Sequence, residues 1–198
     1  MTRAGHFLAL TTVAVLAACS SAPTTVYSLN AVPPRQGTAV SGPPITPPIE
    51  LGEVMIPGAI DRDSVVIAAS GGVLDVSSTA VWGAPLSEMI RLTLSADLRA
   101  RLPPGSVLAP GDPVPPGGVR ILLVNVQRFV GNTQGQVGLV ADWSIANDIG
   151  MAIDEPDHVV LKIDAGSDNV SAIVPVMSRA LGVMADRIAA TGFDAKQK

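Results

Sequence analysis

The chain has 198 residues, of which 17 are acidic, 13 are basic and 47% are hydrophobic. This length suits one domain with a modest core. Beyond residue 18 the net charge is about −5, basic residues form no cluster and only five aromatic residues remain, which argues against a nucleic-acid partner. The one cysteine of the sequence excludes an internal disulfide framework.

The first 18 residues are typical of a secretory signal peptide. Arg3 supplies a short positive region, and residues 7–18 form a 12-residue apolar segment, shorter than the roughly 20 residues that span a bilayer. This segment ends in Leu-Ala-Ala-Cys at residues 16–19, the pattern of the bacterial lipobox. An ordinary signal peptide with a chance cysteine is the alternative. Because Cys19 is the only cysteine, we predict cleavage before it and attachment of acyl chains to its thiol.

Acylation of Cys19 would hold the mature protein on a membrane. Each buried methylene contributes about 0.8 kcal/mol, and stable anchoring takes more than one chain. Ser20 favours the outer membrane, because aspartate at this position retains many lipoproteins in the inner membrane. No second apolar segment reaches transmembrane length. We therefore expect a periplasmic body that is lipid-anchored at the outer membrane.

Two segments are rich in proline and glycine. Residues 31–48 contain six prolines and two glycines, and they are predicted to form a semi-extended tether. The apolar residues 26–29 before it could add an edge strand or dock onto a partner. Residues 102–118 contain six prolines and four glycines, which predicts a mobile loop or a contact loop, with mobility favoured. The predicted organisation is a lipidated N-terminus and tether over residues 19–48, followed by one domain over residues 49–198.

Two patterns predict the strands of this domain: alternation of apolar and polar residues, and runs that are apolar on both faces. The middle of residues 119–130 is apolar on both faces, as in a central strand, and residues 137–145 alternate strictly. The predicted strands cover residues 50–56, 64–69, 73–76, 119–130, 137–145 and 159–163.

Two helices are predicted between and after the strands. Pro85 opens the first, whose stripe is apolar apart from Thr93 and Asp97. Arg99 and Arg101 in its last turn would complement the helix dipole. The second runs from about Asp168, as N-cap, to Ala190, and Pro175 predicts a kink or a later start within it. This order of elements predicts an α+β fold in which two amphipathic helices pack on one face of a mainly antiparallel sheet.

No catalytic, cofactor-binding or metal-binding pattern is found, so we predict that the protein is not an enzyme. His158 is the one histidine beyond the signal peptide and is interpreted as a solvated residue. Asp61 and Asp63, and the acidic residues at 154, 155 and 157, fall at predicted turns, where aspartate is common. Paired-carboxylate or calcium chemistry is the weaker interpretation of both groups.

Two tryptophans are the largest candidate anchors. Trp143 lies within the alternating strand, so core packing is the prediction for it. Trp82, just ahead of Pro85, either packs at the start of the helix, which is favoured, or presents an edge to a partner.

Residues 81–86, Val-Trp-Gly-Ala-Pro-Leu, lead to a family resemblance. The chain resembles the PqiC/YmbA family, the auxiliary lipoproteins of ABC-type envelope transport systems. Departures from the family pattern are Ala59 and Ile60, Val81 where arginine is common, and Pro175. The shared pattern is carried by Tyr27-Ser28-Leu29, Ile60-Asp61-Arg62, Val65-Val66, Trp82-x-x-Pro85-Leu86, Val124-x-Val126-x-x-Phe129, Gly135-x-Val137 and Asp142-Trp143.

The resemblance implies a role in transport rather than a reaction. Related lipoproteins work at the outer membrane with MCE-domain proteins, which carry lipids across the periplasm, and with inner-membrane permease or ABC components. The resemblance thus implies an outer-membrane docking component that self-associates as a homo-oligomeric ring. Tyr27, Leu29 and Trp82 are the candidate partner contacts, beside the loop at residues 102–118 and the polar side of the sheet. The alternative is a structural lipoprotein that supports the cell wall or outer-membrane assembly.

Overall fold

A computed structural model of the chain describes residues 22–37, 39–191 and 193. The signal peptide, Cys19 and Ser20 lie outside the described residues. Within them the chain forms seven strands and two helices. In chain order these are β1 (Thr25–Tyr27), β2 (Ile49–Met55), β3 (Ser64–Ala68), β4 (Leu74–Trp82), α1 (Leu86–Arg99), β5 (Arg120–Asn132), β6 (Gln136–Ala146), β7 (Asp157–Asp164) and α2 (Val170–Ala190).

All seven strands join one sheet in the order β1-β4-β3-β5-β6-β7, with β2 also paired to β5. The pairs β3–β4, β5–β6 and β6–β7 are antiparallel. The pairs β1–β4, β2–β5 and β3–β5 are parallel. The sheet is therefore mixed, which corrects the predicted detail of a mainly antiparallel sheet within an α+β fold.

Two of the three parallel pairs, β2–β5 and β3–β5, arise because β2 and β3 follow one another along the same side of β5. Strand β2 pairs with residues 120–125 of β5, and β3 pairs with Gly131 and Asn132. The turn between them, in which Pro57 accepts hydrogen bonds from the N–H groups of Ile60 and Asp61, offsets the chain without reversing it. Turn residues in a sequence indicate a break in a strand but do not fix the direction that follows it.

Strand β5 is the central strand that the sequence predicted. Leu122, Val124, Val126 and Phe129 are fully buried on it. Strand β6 pairs with β5 along almost its entire length. The core therefore lies along β5 and β6, the longest strands of the sheet.

The two helices cover one face of the sheet. Helix α2 packs on β5, β6 and β7, whereas α1 packs on α2 and β2. On β6 the residues of the covered face, Val137, Leu139 and Ala141, are fully buried. On β7, Val160 and Lys162 point to the opposite side and are exposed, so the second face is open to solvent.

The helix termini differ in detail from the prediction. Pro85 lies at the N-cap of α1, and the helix ends at Arg99, so Arg101 is outside it. Asn169, not Asp168, precedes α2. Helix α2 runs through Pro175, whose missing N–H removes only one hydrogen bond near the start of a 21-residue helix.

One glycine marks a close approach between the sheet and α2. A Cβ atom at Gly131 would lie 2.7 Å from both Cδ1 and Cγ2 of Ile173. Ile173 is fully buried, so it has no free space into which to move. Close-packed cores resist such added volume.

We predict that Gly131→Ala lowers the free energy of unfolding by about 1–3 kcal/mol, because the new methyl group overlaps Ile173. Urea denaturation measures this loss. Gly58→Ala is the control, since nothing lies within 4 Å of its added Cβ, and it should change stability by less than about 0.5 kcal/mol. Gly131→Ala should lower the free energy of unfolding less in an Ile173→Ala background than in the wild type, because the overlapping side chain is then absent. Equal effects at positions 131 and 58 would contradict the prediction.

Candidate functional site

A short N-terminal segment lies across the two helices. We call residues 29–32 the strap. The Leu29 side chain is buried, the N–H of Asn30 donates to Ser178 Oγ of α2 at 3.1 Å, and the N–H of Val32 donates to Asp97 Oδ1 of α1 at 2.7 Å. The strap is thus bonded to both helices.

Arg101 is the centre of this contact. Its side chain is only 1% exposed. Nη1 donates to the carbonyl oxygen of Val32 at 3.0 Å and to that of Asp97 at 2.9 Å, and Nε donates to Asp186 Oδ1 of α2 at 2.6 Å. The guanidinium group also lies 3.3 Å from Asp97 Oδ1. One cation therefore connects α1, α2 and the strap.

Asp97 is the most perturbed acid of this network. Burial raises the pKa of its carboxyl group to about 6, against the opposing effects of the Val32 N–H and of Arg101. The nearby carboxylate of Asp186 raises it further. Its Oδ2 atom is buried and has no hydrogen-bond partner among the described residues. A buried carboxyl oxygen without a donor is expected to favour the protonated form.

The predicted tether does not stand apart from the domain. Residues 33–48 contain no strand or helix among those described, as expected for an extended segment. They are nevertheless bonded to the domain, because the N–H of Val40 donates to the carbonyl oxygen of Arg101 and that of Ile45 to Ser106 Oγ. The folded unit also includes β1, so it begins before residue 49, the predicted start of the domain.

Two of the three candidate partner contacts, Tyr27 and Trp82, lie at one edge of the sheet, where β1 forms the edge strand that was the first of two predicted alternatives. Tyr27 pairs with Trp82 in the register of β1 and β4, and the N–H of Gly83 donates to the carbonyl oxygen of Tyr27. Leu29 and Trp82 are buried in the core, which agrees with the packing interpretation of Trp82. Their side chains stabilise the fold. Partner contact stays a prediction for Tyr27, Leu29 and Trp82, of which Tyr27 is the half-buried one.

The acidic groups have local roles. Asp61 accepts hydrogen bonds from the N–H and hydroxyl groups of Ser87 in the first turn of α1. Asp154 Oδ1 accepts the N–H of Ile145 at 2.6 Å. His158 is exposed and lies 3.9 Å from Asp142. Among the described residues no group of three or more potential metal ligands comes together.

The proline-rich segment 102–118 divides into two parts. Ser106 is fully buried, and Val107 and Leu102 are nearly so. The N–H of Ile49 donates to the carbonyl oxygen of Ser106, and that of Leu108 to the carbonyl oxygen of Ile49. The first part is therefore packed against β2, whereas residues 110–114 are exposed.

Two surface grooves are formed by the described residues. The first, of about 340 Å³, lies between β2 and α1 and contains four charged residues, Glu50, Glu53, Glu88 and Arg91. Arg91 donates to both carboxylate oxygens of Glu88 at 2.7 Å and thereby lowers the pKa of that carboxyl group. The second, of about 220 Å³, lies on the open face of β5–β7. The charged first groove is poorly suited to an acyl chain.

Sequence reasoning assigned Arg101 to the helix dipole and did not identify the network. The available signal was Asp97, the one charged residue on a stripe that is apolar apart from it and Thr93, with an arginine four residues later. A charge on a buried helix face requires a partner. The spacing indicates the pair, but Asp186 and the strap are brought to it only by tertiary packing.

Comparison with known proteins was made for the sequence and for the fold. The family described as the ABC-type transport auxiliary lipoprotein component matches residues 27–189. The chain belongs to this family. Among curated proteins no match was found.

Two solved structures share the fold of this auxiliary lipoprotein. A crystal structure of an uncharacterized protein has 20% identity and a TM-score of 0.66, with 86% of this chain and 99% of the other covered. The protein XCC0632 from Xanthomonas campestris, of family DUF330, has 14% identity and the same TM-score, with 84% and 93% covered. These neighbours show the shared fold, whereas the match over residues 27–189 assigns the family, in agreement with the predicted PqiC/YmbA resemblance. No helix of the described residues is long and apolar enough to cross a membrane.

We predict that Asp97 makes stability depend on pH. The folded pKa of about 6 lies above the ordinary value of 3.8, so the folded protein holds this proton more tightly than the unfolded chain. The stabilisation that comes from the protonated Asp97 carboxyl group is fully present below about pH 4 and is lost as the pH rises through 6. Between pH 4 and 7 the free energy of unfolding of the wild type should fall by about 3 kcal/mol relative to that of the Asp97→Asn variant. Urea denaturation at several pH values measures this difference, and a constant difference would contradict the assignment.

We predict that Arg101→Met lowers the free energy of unfolding by about 3–5 kcal/mol, because it leaves the carboxylates of Asp97 and Asp186 without their shared cation. Arg99→Met is the matched control, since Arg99 is exposed at the end of α1, and it should change stability by less than about 0.5 kcal/mol. Thermal and urea denaturation measure both. Similar small effects for the two variants would argue against the network.

Proposed function

We propose that this auxiliary lipoprotein is the outer-membrane docking component of an MCE-linked, ABC-type lipid transport system. The family match over residues 27–189 is the observation that carries the transport role. The proposal adds acylation of Cys19, location at the periplasmic face of the outer membrane, and contact with an MCE-domain protein that is coupled to inner-membrane permease or ABC components. In this way the protein would help to maintain envelope integrity.

Strand β1 supports a position close to the membrane. Because β1 begins at Thr25 and pairs with β4, only residues 19–24 would separate the acylated cysteine from the folded unit. Six residues span at most about 20 Å when fully extended. The domain would therefore remain within this distance of the bilayer, where it could receive the end of a periplasmic assembly.

The grooves support docking rather than lipid carriage. A carrier needs an apolar cavity for acyl chains, and four of the eight residues that line the groove between β2 and α1 are charged. We propose that lipid passes through the MCE-domain partner and that this protein supplies the membrane-anchored contact. Self-association as a ring would match the symmetry of such a partner.

The test is purification of a C-terminally tagged protein from detergent-solubilised envelopes after mild cross-linking, with identification of its partners. We expect the MCE-domain protein and inner-membrane components to be recovered from the outer-membrane complex. The Cys19→Ala variant should lose most of this recovery, because it has no acyl anchor. Deletion of the gene should alter envelope permeability and lipid distribution.

Recovery of cell-wall or outer-membrane assembly proteins alone would overturn the proposal. It would support the structural lipoprotein instead, and binding to isolated peptidoglycan would strengthen that alternative. Arg99→Met is a useful second control, since it should retain both the anchor and the strap.

A further inference from the structure

The connection between β6 and β7 exposes three large apolar side chains. Ile149, Met151 and Ile153 are 77%, 63% and 52% exposed. Such a cluster in five residues is typical of an interaction surface. We call residues 147–157 the acidic loop, because it carries four acidic residues and no basic one.

The acidic loop is held in shape by its own hydrogen bonds. The Asn147 side chain accepts the N–H of Met151 at 2.8 Å, and its backbone N–H donates to the Met151 carbonyl oxygen. The N–H of Ile153 donates to the carbonyl oxygen of Ile145, and Asp154 accepts the N–H of Ile145. The apolar side chains are thus presented on an ordered loop, which reduces the entropy cost of binding.

The charge of the loop limits what it can bind. Asp148, Glu155 and Asp157 have no ion-pair or hydrogen-bond partner among the described residues, whereas Asp154 is engaged within the loop. An anionic lipid surface would repel this loop. A fitting partner has exposed apolar side chains beside cations.

The open face of the same sheet has these properties. The second groove, here called the basic groove, contains Arg128 and Lys162 beside Val140 and Val160. Val160 is 56% exposed. Neither cation has an ion-pair partner among the described residues, and the groove itself contains no acidic residue. Two carboxylates flank the groove and are engaged locally: Asp142 accepts a hydrogen bond from Gln127, and Asp164, paired with Gln136 in the sheet, accepts the N–H of Gly166.

The acidic loop and the basic groove are separate surfaces of one molecule. The loop is bonded to Ile145 and Ala146 at the end of β6, whereas Val140 of the groove lies six residues before Ala146 on the same strand. Six residues of an extended strand span about 20 Å. The exposed apolar side chains of the loop therefore leave Val140 uncovered within one copy.

We infer that the acidic loop of one copy docks into the basic groove of the next. Ile149, Met151 and Ile153 would cover Val140 and Val160, while the free carboxylates would face Arg128 and Lys162. Contacts of this head-to-tail kind join unlike surfaces and close into a ring when the rotation permits. The inference rests on the self-association within the proposed function and specifies its interface.

Charge reversal tests this interface in the full-length acylated protein in detergent. One variant carries Asp148→Lys and Glu155→Lys in the loop, and the other carries Arg128→Glu and Lys162→Glu in the groove. Each places like charges opposite one another, so self-association should weaken at least about 100-fold. Light scattering coupled to size-exclusion chromatography measures the mass of each assembly.

Mixing the two variants is the sharper measurement. Loop-reversed and groove-reversed copies are complementary to each other, so an equimolar mixture should assemble in alternation although neither variant does so alone. The control variant carries Asp63→Lys and Asp75→Lys, which makes the same change in net charge as the loop variant but on exposed residues outside the loop. It should assemble like the wild type.

Three results would overturn the inference: a monomeric wild type, unchanged assembly of both reversed variants, or failure of the mixture to assemble when both variants remain folded by circular dichroism. Recovery of the transport partners is measured separately. A wild type that is monomeric yet binds an MCE-domain protein would refute this interface and leave the proposed function standing. Loss of MCE binding in the loop variant, with self-association intact, would assign the loop to the partner instead.

Discussion

The buried guanidinium group of Arg101 determines how the N-terminus, α1 and α2 fit together. A cation without water around it is stable only when carboxylate and carbonyl oxygens replace its hydration. Asp97 and Asp186 supply these oxygens from the two helices, and Val32 supplies a carbonyl oxygen from the strap. Because the three elements satisfy one charge, displacement of any one of them leaves the others with an unfavourable buried charge. The strap is therefore part of the fold and not an appendage of it.

This network also accounts for the composition of the N-terminal region. Residues 31–48 have the proline content of a linker, and a sequence of this kind cannot form a core by itself. It is held on the domain by isolated backbone hydrogen bonds, at Val40 and Ile45, and by the burial of Leu29. Hydrogen bonds to Arg101 and Ser106, which follow α1, thus hold a segment whose own residues would leave it extended. A lipoprotein gains from this arrangement a domain that stays close to its anchor.

The remaining features indicate a protein that acts through its surfaces. Helices cover one face of the sheet and leave the other face open, with two cations that have no ion-pair partner among the described residues. The acidic loop at the far end of the same hairpin exposes apolar side chains that a monomer would be expected to bury. Membership of a transport auxiliary family agrees with such a binding role.

Much of the local structure was determined by the sequence alone. The alternation over residues 137–145 predicted β6, because a strand buried on one face alternates apolar and polar residues. The apolar middle of residues 119–130 predicted β5, because a strand buried on both faces is apolar throughout. Pro85 and the apolar stripe that follows it predicted α1. The lipobox and the motifs around Tyr27 and Trp82 indicated the family, which the match over residues 27–189 confirms.

Tertiary structure decided what these patterns leave open. The turn at Pro57 does not encode whether β3 reverses or continues, so the parallel pairing along β5 depended on the packing of the whole sheet. Asp97 and Arg101 are four residues apart in the sequence, but Asp186 is 85 residues from Arg101, and only the packing of α2 on α1 brings it within hydrogen-bond distance. Long-range contacts of this kind depend on the complete set of buried surfaces, whereas helix and strand periods follow from local backbone geometry.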